Sequence, residues 1–232
     1  MRDASVVLCY HKVGPQAEVG RWLNLEPEAL RRQIRFLRRR GFRIAPARDL
    51  ADSRATRLAC LTFDDAYQCF VDYGLPILDS EAAPSSIYVV SGEVGGASNW
   101  DGDRAAPLAR LEALHAARAR GHELGNHTAT HRFLGQLSEE EQAQEIATCH
   151  DWMQAQGWTP ESFCLPYGSH NEVTAAVIGR HGYAVGLTTR AGFITAQTDR
   201  RLCPRIGVSY SDGVAGLWYK LTIKAWIKGY RV

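Results

Sequence analysis

Leu58-Ala59-Cys60-Leu61-Thr62-Phe63, running directly into Asp64-Asp65, is the stretch on which the fold turns. An unbroken apolar and β-branched run of this length reads as a buried strand, and the two carboxylates fall where the strand ends and its loop begins. In a parallel barrel that end of each strand is the face where active sites are assembled. Adjacent residues of a regular strand point to opposite faces, so both aspartates serve one site only if the backbone leaves regular pleating at this point. Taken alone, the pair would read as a strand-end turn.

Similar runs recur along the chain. Ser5 to Cys9, Ser86 to Val90, His122 to Asn126, Ser162 to Leu165, Ala184 to Thr188 and Arg205 to Ser209 join Leu58 to Thr62 as seven predicted strands. Helical stretches alternate with them: Pro27 to Gly41 carries Leu30, Ile34 and Leu37 on one face, Leu108 to Arg120 stops at Gly121, and Val173 to Arg180 stops near Gly182. Ser138 and Glu141 have the spacing of a capping box before a helix ending near Gly157. Strands alternating with helices imply a parallel sheet, and the expected fold is an α/β, single-domain, distorted (β/α) barrel of about seven parallel strands, TIM-like, over 1–232. No repeat, low-complexity stretch or linker divides it, and Gly92 to Gly102 reads as a loop.

Composition agrees and excludes some partners. The chain has 232 residues, 45% hydrophobic and 22% charged, with a formal net charge of +2, so nothing in the overall balance calls for nucleic acid. The arginine run Arg31, Arg32, Arg35, Arg38, Arg39 and Arg40 lacks interleaved aromatic residues and reads as the solvated face of the Leu30/Ile34/Leu37 helix. Six cysteines form no Cys-x-x-Cys pair and are expected to be reduced, partly buried thiols. Val6-Val7-Leu8-Cys9 is too short for a signal-peptide core, and no segment approaches a membrane span, so the expected location is cytoplasmic. In the last stretch, 214–232, Lys220, Lys224 and Lys228 recur at intervals of four among Leu217, Trp218, Tyr219, Leu221, Ile223, Trp226 and Ile227. As a helix this is a basic stripe beside an apolar face, which either covers the barrel or a dimer partner or makes peripheral contact with the inner membrane surface through 217–232.

The chemistry gathers in a second motif, Asn126-His127-Thr128-Ala129-Thr130-His131, just after a predicted strand and on the same barrel face as Asp64 and Asp65. His127 and His131, four residues apart, share a face if the segment is helical or makes a helical turn. Two carboxylates with two imidazoles are what a hydrolytic divalent-metal site with a separate base requires.

Thr62-Phe63-Asp64-Asp65, His127-Thr128-Ala129-Thr130-His131 and Leu165-Pro166-Tyr167-Gly168 together resemble the first three motifs of the polysaccharide deacetylase family, the NodB-homology or carbohydrate esterase family 4 domain. The likeness extends over almost the whole chain, through Tyr10-His11-Lys12-Val13, Leu75-Pro76-Ile77-Leu78 and Leu202-Cys203-Pro204-Arg205-Ile206. It implies a distorted barrel with one divalent metal, usually zinc with cobalt, nickel or manganese as alternatives, that removes acetyl groups from N-acetylated sugars. Asp65, His127 and His131 would bind the metal, Asp64 would be the general base, and the backbone N–H of Tyr167 would complete the oxyanion site. The sequence departs from the pattern in two places. Cys164 stands where the third motif often has an arginine that orients the base, leaving Arg205, at one end of the last predicted strand, as the candidate. No histidine follows His181 near the C-terminus, where the family's usual acid lies, so His11, directly after the first strand, is the expected acid. The fourth motif has no clear match, although Asp199 lies in its region. Other readings are a deformylase or another amide hydrolase on the same scaffold, and a metal-free carbohydrate-binding pseudoenzyme. Polymer, oligosaccharide and lipid-linked saccharide substrates all fit.

Overall fold

The computed structural model describes residues 3–52, 54, 56–224 and 227. In chain order the strands are β1 (Val6–Tyr10), β2 (Lys12–Val13), β3 (Asn24–Leu25), β4 (Arg43–Ala45), β5 (Leu58–Phe63), β6 (Ser86–Val89), β7 (Glu123–Asn126), β8 (Ser162–Cys164), β9 (Val185–Leu187) and β10 (Ile206–Gly207). The helices are α1 (Gln16–Val19), α2 (Pro27–Arg39), α3 (Leu75–Ser80), α4 (Leu111–Ala119), α5 (Glu139–Ala155), α6 (Thr174–Arg180) and α7 (Val214–Tyr219). A parallel path of seven strands, β10-β1-β5-β6-β7-β8-β9, curls into a half-barrel, in agreement with the expected distorted TIM-like (β/α) barrel. Those seven are the seven read from sequence, with ends moved by one or two residues.

Three short strands escaped the sequence pattern. Among the described residues β2 and β3 pair only with each other, two residues each, and β4 pairs with Leu58 to Cys60 along the edge of β5 that β6 occupies further on, at Thr62 and Phe63. Segments this short carry no readable alternation. Between β9 and β10 the barrel has a seam closed by irregular bonds: Thr188 N–H donates to the Cys203 carbonyl at 2.9 Å, and Arg205 N–H to the Arg190 carbonyl at 2.8 Å.

The helices follow their punctuation. Leu30, Ile34 and Leu37 of α2 are fully buried in the largest core cluster, while Arg31, Arg35 and Arg38 converge on Glu81. The capping box at α5 is made in both directions, Glu141 N–H to Ser138 Oγ at 3.2 Å and Ser138 N–H to Glu141 Oε2 at 2.9 Å. The chain turns at Gly41, Gly121, Gly157 and Gly182 with positive φ, as the helix stops predict. α4 starts at Leu111, not Leu108, because Leu108 bridges Tyr67 in an extended conformation.

One expectation at the C-terminus changes. Lys220 is not part of a free basic stripe: its Nζ donates to the Gly207 carbonyl and to Asp212. Leu217 and Leu221 turn inward, Trp218, Tyr219 and Ile223 are exposed, and Trp226 and Lys228 lie outside the described residues. Among the described residues no helix is long and apolar enough to cross a membrane.

Candidate active site

Every site residue named from sequence except Arg205 follows the C-terminal end of a strand: His11 after β1, Asp64 and Asp65 after β5, His127 and His131 after β7, and Tyr167 after β8. The departure from pleating that the adjacent aspartates require is present. Asp65 has φ +68° and Ala66 φ +53°, so the chain rolls over at Asp65 and brings both carboxylates to one side. A left-handed non-glycine residue costs of order 1–3 kcal/mol and persists only where its surroundings over-determine it.

His127 and His131 come together without a helix. Thr128 and His131 also have positive φ, and the segment is an irregular loop held from behind. Asn126 Oδ1 accepts the Thr128 N–H in an Asx turn, Thr128 Oγ1 accepts the His131 N–H, and the buried Glu145 of α5 accepts from Ala129 N–H, Thr130 N–H and the Thr130 hydroxyl. The helical alternative for this segment is therefore wrong, because local side-chain acceptors satisfy the backbone in place of i→i−4 bonds.

Asp65 Oδ1 lies 3.3 Å from His127 Nε2 and 3.2 Å from His131 Nε2, yet it is buried and accepts no hydrogen bond among the described residues. His127 Nδ1 is 2.7 Å from the Cys164 carbonyl, a contact that fixes the proton there and leaves the Nε2 lone pair directed at the cluster. Burial pushes the Asp65 carboxyl up, but the two imidazoles outweigh it and hold it well below the ordinary range. Burial also lowers both imidazoles. The Asp65 and Asp64 carboxylates reverse that at His127 but not at His131. An orphaned carboxylate oxygen and two imidazole nitrogens converging on one point, with the other His127 nitrogen tied to a carbonyl, fit a divalent cation of the zinc type.

Asp64 is occupied differently. Arg205 grips it with both guanidinium nitrogens, Nη1 to Oδ1 and Nη2 to Oδ2 at 2.7 Å each, and anchors itself through Nη1 on Thr62 Oγ1 and Nε on the Thr188 carbonyl. The strand register places Ile206 level with Leu61, so Arg205 starts low in the barrel and its side chain runs up the interior from the seam. Cys9 and Cys164 each set Sγ 3.5 Å from an Asp64 oxygen. Burial raises both thiols far above their usual range, so they stay protonated and donate. Burial pushes Asp64 up as well, but the Arg205 charge and its hydrogen bonds outweigh it and leave the carboxyl well below the ordinary carboxylate range. Asp64 also belongs to two other groupings of metal-binding side chains, with Cys9 and His11 and with His127 and Cys164. Its oxygens are already taken by the guanidinium and both thiols are protonated, so Asp65 with His127 and His131 is the set open to a cation.

His11 Nε2 stands 3.9 Å from Asp64 Oδ2, beyond hydrogen-bond length, on the partly open side of the site. Tyr167 has φ +57° and an exposed ring stacked on Phe133 at 3.8 Å and edge-on to His131 at 4.6 Å. The turn depends on Gly168, where a Cβ would come within 2.4 Å of the Thr189 backbone nitrogen. Trp100, in the segment read only as a loop, stacks on the other side of the cluster against His131 at 4.2 Å. The two thiols, Glu145 and Trp100 were missed by sequence reasoning, since each acts through a contact distant in the chain. Asp199 does not reach the cluster; it caps the turn at Arg201.

The polysaccharide deacetylase family profile matches residues 51–186. YxkH of Bacillus subtilis (strain 168), whose name carries the same family description, is 23% identical over 219 residues, covering 90% of this chain and 72% of its own. Among solved structures, the Streptococcus pyogenes deacetylase PplD in complex with acetate superposes with a TM-score of 0.79 at 22% identity, over 95% of this chain and 99% of that one. IcaB from Ammonifex degensii does so with a TM-score of 0.79 at 23% identity, over 97% of each chain. The motifs, the barrel and the profile agree: the chain belongs to the polysaccharide deacetylase family.

Proposed function

We propose that this chain is a metal-dependent N-deacetylase that hydrolyses the acetamido group of a saccharide to an amine and acetate. The convergence of Asp65 Oδ1, unpartnered and buried, with the Nε2 atoms of His127 and His131 beside the Arg205-held Asp64 carries this reading. Asp65, His127 and His131 would hold one divalent ion, zinc first, which supplies Lewis acidity, lowering the pKa of water toward about 7 and polarising the acyl carbonyl.

Asp64, kept ionised by Arg205, accepts the proton of the attacking water. Arg205 touches no reacting atom in this scheme; it positions the carboxylate and holds its charge. The backbone N–H of Tyr167 stabilises the negative charge that develops on the carbonyl oxygen. His11 delivers a proton to the departing nitrogen, without which the amine is a poor leaving group. Trp100, Tyr167 and Phe133 supply aromatic walls against which a sugar ring can pack.

Acetate release from N-acetylated oligosaccharides, measured before and after chelation, tests the reading. Activity is expected to vanish with the chelator and return with a divalent ion, and Asp65→Ala is expected to purify without a stoichiometric ion. Turnover that survives chelation refutes the metal assignment. His11→Ala is expected to keep its metal and lose about 10²-fold in kcat, the lower end of general-acid effects. Near-full turnover in a metal-loaded His11→Ala chain would remove His11 from the acid role.

A further inference from the structure

A cleft of about 620 Å³, within the range of ligand sites, opens beside the cluster, with Lys12, Trp22, Tyr73, Arg104 and Pro107 among its walls. Lys12 follows His11 in sequence but points the other way, into this cleft. Its residue is only 4% exposed. Nζ lies 4.9 Å from the Trp22 ring and 4.7 Å from the Tyr67 ring, and among the described residues it meets no hydrogen-bond acceptor and no carboxylate within ion-pair distance. Burying an ammonium with only ring faces for company is costly, and such a group calls for an anion.

The neighbours share that bias. Arg104 lies over the same Trp22 ring at 5.2 Å and Arg21 over Tyr210 at 5.0 Å, and neither has a carboxylate partner among the described residues. The two acidic residues on the cleft are engaged by neutral groups, Glu18 by the Tyr73 hydroxyl and Asp72 by Gln68 Nε2. Asp101, whose charge Lys12 also feels, has Oδ2 committed to the hydroxyls of Tyr67 and Ser98. Lys12, Arg21 and Arg104 therefore outnumber the two carboxylates on the cleft, and none of the three forms an ion pair among the described residues.

A line of packed side chains joins the Lys12 site to the cluster. Tyr67, one wall of the Lys12 site, comes two residues after Asp65, and Trp100, next to Asp101, stacks on His131. A saccharide with its acetamido group at Asp65, His127 and His131 would reach Lys12 along that line of side chains.

We propose that the Lys12, Trp22 and Arg104 cleft binds an anionic group, phosphate or carboxylate, carried by the acylated sugar, so that the chain acts on a charged saccharide in preference to a neutral one. This assignment rests on the deacetylase reading for its placement of the sugar, and it specifies what that reading leaves open.

The test is calorimetric binding to the metal-depleted full chain with N-acetylglucosamine, N-acetylglucosamine 1-phosphate and N-acetylmuramic acid. At least one charged sugar is expected to bind about tenfold or more tightly than the neutral one, the equivalent of about 1.4 kcal/mol. Preference for the 1-phosphate identifies a phosphate ester, and preference for N-acetylmuramic acid a carboxylate. Lys12→Met and Arg104→Gln are each expected to bring the charged-to-neutral ratio toward one. Arg104 is exposed, so its variant decides the matter if Lys12→Met does not fold. Affinities within threefold across the three sugars, or an undiminished ratio in folded variants, overturn the proposal. If the metal-loaded chain releases acetate from none of them while the charged preference persists, the deacetylase reading fails and the anion site stands.

Discussion

Arg205→Met is expected to destabilise the chain by about 3–5 kcal/mol, because it leaves the Asp64 carboxylate buried without its counter-charge. For a domain of this size that corresponds to a fall in Tm of roughly 6–20 °C. The pair is fully enclosed, with Arg205 and Asp64 side chains 0% and 4% exposed, so solvent does not screen it. The pH dependence should invert. In the native chain Asp64 has a depressed pKa, so the pair stabilises the fold above the unfolded carboxylate's pKa of about 4 and this contribution is lost as pH falls toward the native value. Without Arg205 burial is the largest remaining influence on the carboxyl and raises its pKa against the smaller pull of the His11 and His127 charges, so the variant should gain stability on mild acidification where the native chain does not. Thermal melts of both proteins between neutral and mildly acid pH check this. A Tm within 2 °C of the native value would show that the ion pair carries no net stability.

Asp64→Asn is expected to reduce kcat by about 10²–10⁴-fold while the chain still binds its metal, since the amide cannot take a proton from water. It also strands the Arg205 charge, so it should destabilise. The double variant Asp64→Asn/Arg205→Met is therefore expected to be more stable than the sum of the two single losses predicts, as directly paired residues are non-additive. Steady-state kinetics with metal content, and a double-mutant cycle by denaturant, separate the two effects. Near-native turnover in metal-loaded Asp64→Asn would transfer the base role elsewhere.

The residues whose roles were readable are those whose signal is local. Leu58 to Phe63 announces its strand by composition alone, Ser138 and Glu141 announce a helix start by spacing, and the Asp64-Asp65 and His127/His131 motifs stand at strand ends where a parallel barrel builds its sites. β2, β3 and β4 left no such signal because two or three residues are too few for a period.

Hydrophobic pattern, caps and connection length, all local to the chain, specify the order of the seven barrel strands and the longer helices, the face on which the site forms and the residues offered there. Tertiary structure decided how the offered residues are used. The roll of the chain at Asp65 puts adjacent carboxylates on one side, and the clamp by Glu145 folds His127 to His131 as a loop instead of a helix. Arg205 crosses the interior to a carboxylate 141 residues away, between two thiols from β1 and β8. The physical reason is that a buried charge takes whichever counter-charge and donors the packed barrel brings within reach, and proximity across a barrel is not written in any local stretch of chain.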